Sequence, residues 1–111
     1  MELGATVSCM GYGYEVRVLI NGTDIGVQGG KSESKRLFGA ESELKKDAPA
    51  DMRDRLFVLK PGENSLSVQC KKTGQEQDRL TFEMYVGEQV EPFISFVTSD
   101  ASATFEKTFA L

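Results

Sequence analysis

The chain alternates apolar and polar residues with a period of two over most of its length, which is the rhythm of half-buried β-strands. Leu3, Ala5, Val7 and Cys9 alternate with Gly4, Thr6 and Ser8. After Gly11-Tyr12-Gly13, the residues Tyr14, Val16, Val18 and Ile20 alternate with Glu15, Arg17 and Leu19. Successive side chains on a strand point to opposite faces, so each run predicts one face on a core and one face outward. Asn21-Gly22-Thr23-Asp24 reads as a tight turn into Ile25-Gly26-Val27, and Gly29-Gly30 breaks the chain before Ser34-Lys35-Arg36-Leu37-Phe38. Further on, Leu66, Val68 and Cys70 alternate with Ser65, Ser67 and Gln69. Leu80, Phe82, Met84 and Val86 then oppose Arg79, Thr81, Glu83 and Tyr85, the clearest amphipathic strand of the chain.

Turn chemistry punctuates these runs. Between Leu56-Phe57-Val58-Leu59 and the strand that begins near Ser65, Pro61 presets φ for the first central position of a turn, and Gly62 supplies positive φ at the second. Pro92-Phe93-Ile94-Ser95-Phe96-Val97 is continuously apolar, which predicts a strand in the middle of a sheet, covered on both sides. Ser99-Asp100-Ala101-Ser102 turns it into Thr104 to Phe109, expected at a sheet edge. Residues 40–55 break the rhythm. Ala40 to Lys46 has helix propensity and pairs Glu41 with Lys45 four positions on, but Leu44 is its only large apolar residue and Pro49 soon follows. A charged loop or short helical insertion is expected there, and residues 40–54 are expected to be the most mobile segment.

These runs predict an all-β fold: one antiparallel β-sandwich over residues 1–111, of Greek-key or jelly-roll connection, with about eight strands and at most one short helix. The length of 111 residues leaves room for one core and no second domain. A net charge of -4 gives no electrostatic footprint for the phosphate backbone, so nucleic acid is not an expected partner. No apolar run approaches the ~20 residues of a membrane helix, and no membrane is expected. The first ten residues lack a positive start followed by an apolar stretch, so the expected location is cytoplasmic unless the chain is a fragment of a secreted protein.

The candidate chemistry is thin. Histidine is absent, which removes the commonest general base and metal ligand. Cys9 and Cys70 fit no CxxC spacing and fall on apolar strand faces, so two buried reduced thiols are expected in preference to a disulfide. Gly26-Val27-Gln28-Gly29-Gly30-Lys31-Ser32 resembles a phosphate-binding loop, but three residues stand where that motif needs four, and a glycine-rich bend accounts for it. Asn21-Gly22-Thr23 fits the N-glycosylation pattern and is equally the commonest tight-turn dipeptide. Asp47, Asp51 and Asp54 lack the glycine punctuation of a calcium loop and read as solvated charge. No catalytic residue, cofactor or metal site is expected, and the chain is not expected to be an enzyme. Three residues could form a contact surface: Tyr12 between two glycines, Leu19 on an otherwise polar face, and Tyr85 on the outward face of its strand.

The series Val18-Leu19-Ile20-Asn21-Gly22, then Gly26, Gly29-Gly30, Phe38, and Leu59-Lys60-Pro61-Gly62-Glu63-Asn64-Ser65-Leu66-Ser67-Val68 resembles the galactose-binding-like jelly-roll modules attached to many glycoside hydrolases. The resemblance covers about half of the chain. It implies a jelly-roll fold and either sugar binding or a structural accessory role. The residues themselves favour a non-catalytic module that binds a protein partner through a sheet face or an exposed edge strand. Carbohydrate binding, with Tyr12 and Tyr85 as the aromatic platform, is the alternative.

Overall fold

The computed structural model describes residues 4–75, 78–87 and 89–111. The expectation placed on Leu3 lies outside them. Among the described residues nine strands run in the order β1 (Gly4–Met10), β2 (Tyr14–Ile20), β3 (Thr23–Asp24), β4 (Ser32–Gly39), β5 (Phe57–Leu59), β6 (Glu63–Lys72), β7 (Leu80–Val86), β8 (Ile94–Thr98) and β9 (Ser102–Ala110). Between β4 and β5 lie a 3₁₀ turn over Glu43–Asp47 and one short helix, α1 (Ala50–Leu56). The strands form two sheets, β5-β4-β1-β7-β8 and β3-β2-β6-β9, packed face to face as an all-β sandwich.

The period-two pattern builds the core directly. Ala5, Val7 and Cys9 of β1, Leu80, Phe82 and Met84 of β7, and Ile94 of β8 face inward from the first sheet. Tyr14, Val18 and Ile20 of β2 and Leu66, Val68 and Cys70 of β6 meet them from the second. Ile25 and Val27 are equally buried although the chain there forms no strand. They plug the sandwich as the chain crosses from β3 to β4.

Two tight turns act together. Asn21 (φ 51°) and Gly22 (φ 83°) both sit in the left-handed region, the requirement of the type I′ turn that joins β2 to β3. At the corner from β5 to β6, Gly62 has φ 87°. The side chains of Asn21 and Asn64 bind the two corners to each other. Asn64, almost wholly buried, donates to the carbonyls of Lys60 (2.8 Å) and Gly62 (3.0 Å) and accepts from the Lys60 amide (3.0 Å). Asn21 donates to the Asn64 side-chain oxygen (2.9 Å) and the Val58 carbonyl (2.8 Å), while its own oxygen accepts from the Ser65 amide (2.9 Å).

Three features differ from the sequence-based expectations. Strand β8 lies at the edge of its sheet, not in the middle, and Val97 on it is 52% exposed. A continuous apolar run gives no face preference, and the outward half of this one is uncovered. Ile25-Gly26-Val27 is coil beyond the two-residue β3, with Ile25 and Val27 buried. Strands β4 and β5 pair in parallel, which the antiparallel expectation did not include. Phe38 and Phe57, partners in that register, stack at 5.0 Å and hold the short contact together.

Candidate functional site

The three expected contact residues do not converge. Tyr12 is 58% exposed in the turn between β1 and β2, at one end of the sandwich. Leu19, half-buried, lies on the outer face of the second sheet, opposite Asp24 on β3 and Ser67 on β6. Tyr85, also half-buried, lies on the outer face of the first sheet opposite Thr6. Partial desolvation, reinforced by the neighbouring Glu83 carboxylate, pushes its phenol above the ordinary value of 10.0. Leu19 and Tyr85 therefore look away from each other on opposite sides of the molecule, and no single patch contains both.

Leu19 does border a shallow hollow of about 600 Å³ with Ser65, Ser67, Glu106 and Thr108. The Ser67 hydroxyl oxygen at this strand position is buried with no hydrogen-bond partner among the described residues. A second hollow of about 500 Å³, bounded by Arg17, Gln69, Lys71 and Thr104, continues along the same face.

The glycine-rich segment 26–32 is a structural bend. The Gly26 amide donates to the Asp24 carboxylate (2.8 Å), the Gln28 amide to Glu33 (3.0 Å) and the Gly30 amide to the Gly11 carbonyl (3.0 Å). Amides already engaged within the chain are not aimed at a phosphate. Gly29 passes so close to β2 that a Cβ there would fall on the Tyr14 carbonyl. Asn21 uses its amide nitrogen for two hydrogen bonds, so its turn role leaves that atom engaged. Cys9 and Cys70 are free and buried. Burial first, then the Glu33 charge and Cys70, pushes the Cys9 thiol up to about 11, far from a reactive thiolate.

The distinctive surface is the open side of the sandwich, where the edge strands β8 and β9 lie over one another. Phe96 of β8 stacks on Phe105 of β9 at 4.7 Å, and Phe93 meets Phe109 edge-on at 6.1 Å. Phe93 (43%) remains exposed at this aromatic seam, and Val97 (52%) is exposed on the outer face of the first sheet, opposite Thr81. Sequence reading missed this surface because it placed Pro92 to Val97 inside a sheet. The signal that points to it is the edge position already expected for the last strand.

The edges of the two sheets are not alike. β3 has two residues and β5 three, too short to template another strand. The first half of β4 is free on one side, since β5 pairs only with Phe38 and Gly39. Its Glu33 and Lys35 stand opposite Cys9 and Val7, on the core-facing side, and pair at 3.0 Å. Inward charges of this kind deter strand addition. β8 opens after Pro92 and runs for five residues. β9 runs for nine and pairs with β6 alone.

The register tells which β9 groups are free. Leu111 and Gly62 exchange both backbone hydrogen bonds (3.0 and 3.1 Å), and the Lys72 amide donates to the Ala101 carbonyl (2.7 Å). In an antiparallel ladder such hydrogen-bonded pairs recur at every second residue. Ala103, Phe105, Lys107 and Phe109 therefore bond β6, while the N–H and C=O groups of Ser102, Thr104, Glu106, Thr108 and Ala110 point to the open side.

Comparison of the chain with protein-family models, with curated proteins and with solved structures finds no match. No helix among the described residues is long and apolar enough to cross a membrane.

Proposed function

We propose that the chain is a non-catalytic interaction module that takes a protein partner by strand addition along β9. The observation that carries this reading is the free edge itself: nine residues, with five residues' worth of backbone donors and acceptors directed outward, beside an aromatic seam with Phe93 exposed. Main-chain hydrogen bonds would supply affinity, and the side chains in alternate positions would supply selectivity. Lys107 sharpens that selectivity. It occupies the same row as Phe105 and Phe109 yet is exposed, so an arriving strand must leave its ammonium a way to solvent.

The discriminating variant is Thr104→Pro. It deletes an outward amide and leaves the bonds to β6 intact. Affinity purification from the native host should recover a partner with the wild-type chain and lose it with this variant, while amide exchange at Thr104, Glu106 and Thr108 slows in the complex. Carbohydrate binding is the second reading, supported by the hollow beside Leu19 and the unpartnered Ser67 hydroxyl. Saturable binding of one glycan class on an array, with no partner sensitive to Thr104→Pro, would replace the first reading by the second.

A further inference from the structure

We infer that the strand added to β9 is the β9 of a second copy of this chain, making an isologous dimer with Phe105 on the two-fold axis. This rests on the strand-addition reading and names its occupant.

Antiparallel pairing of two such edges joins the outward-directed residues of one copy to those of the other, so only alternate registers are available. Three of them centre on the middle of the strand. With Glu106 on the axis, the two Glu106 carboxylates face each other. With Lys107 on the axis, the two ammonium groups do. Directly opposed like charges destabilise a strand pair, which disfavours both. With Phe105 on the axis, Glu106 faces Thr104 of the other copy, Ser102 faces Thr108, and the two Phe105 rings meet across the axis. Each ring already carries Phe96 stacked on its own side. In the same register Lys107 lies opposite Ala103, whose methyl group leaves the lysine stem room to reach solvent. The one charged residue in the inner row thus finds a small neighbour in the register that also separates the acidic groups. A strand with a bulky apolar residue at that position offers no such match, so Lys107 disfavours it while a second copy accommodates the lysine. The joined β3-β2-β6-β9 sheets form one eight-stranded layer.

The test is sedimentation equilibrium of the full chain from micromolar to submillimolar concentration. The wild type is expected to dimerise. Thr104→Glu, an exposed substitution on the outer face, sets a second acidic group opposite Glu106 twice per dimer and should raise the dissociation constant about tenfold or more. Adding Glu106→Lys should restore it, since each carboxylate introduced by Thr104→Glu then faces an ammonium. In the neighbouring registers Thr104 and Glu106 are not partners, and this rescue would not occur. Circular dichroism confirms that the variants are folded. A wild-type chain that stays monomeric, or a dimer indifferent to Thr104→Glu, overturns the inference. Partner capture that is lost with Thr104→Pro while the chain is monomeric would leave strand addition standing and assign it to a foreign strand.

Discussion

At the scale of single residues, Asn64 fixes the corner from β5 to β6 through hydrogen bonds and not through apolar packing. It satisfies three backbone groups of the corner at Lys60 to Gly62 and accepts a bond from Asn21. Replacing it by alanine removes both hydrogen bonds to the Lys60 backbone, each worth about 0.5–1.5 kcal/mol, so Asn64→Ala is expected to lower stability by roughly 1–3 kcal/mol in urea unfolding. A double-mutant cycle with Asn21→Ala should show coupling, because the two side chains share one network. Glu33 makes a different prediction. Its burial raises the carboxyl, but the Gln28 amide and the Lys35 ammonium, with Lys31 beyond, outweigh that and hold it below its ordinary 4.5. A depressed folded-state value means that Glu33 binds its proton less readily when folded. Its contribution is therefore present above 4.5 and is lost as the pH falls through the depressed value. The stability difference between wild type and Glu33→Gln should be constant near neutrality and shrink on acidification below 4.5, as followed by unfolding at a series of pH values.

At the scale of elements, legibility in the sequence tracks how strictly the residues alternate. β1, β2, β6 and β7 are readable because one face of each is apolar and the other polar, and the structure turns those faces as the alternation requires. β8 is misplaced by sequence reading because an unbroken apolar run carries no information about which side is covered, and the uncovered side forms the edge beside Val97. The parallel contact of β4 with β5 has no local signal, since it depends on Phe38 and Phe57, distant in sequence, meeting through the intervening segment. For the same reason the candidate site is only half visible: the last strand's edge position is legible, its neighbour across the seam is not. The segment from 43 to 56 is readable in composition, and its helical pieces have no buried residue. Leu44 and Met52 stay exposed within it. Amides from Leu44 to Arg53 should therefore exchange much faster than those from Leu66 to Cys70, measured by hydrogen exchange; equal protection would contradict this.

At the scale of the whole molecule, the order in which the strands join decides when the fold becomes possible. Ala5 of β1 lies against Val86 of β7, and β1 joins the two halves of its sheet. A chain emerging at about 5–20 residues per second must therefore carry β1 without its second neighbour for roughly 4–16 s while the next ~80 residues are made. Such distant pairing also slows folding relative to a protein of local hairpins. Nascent chains arrested before β7 has emerged should be digested readily by protease, whereas chains displaying all nine strands beyond the ribosome should resist. A cell making this protein thus spends those seconds with an alternately apolar strand covered on one edge at most, by β4, and that interval, more than the finished sandwich, is where chaperones have something to hold.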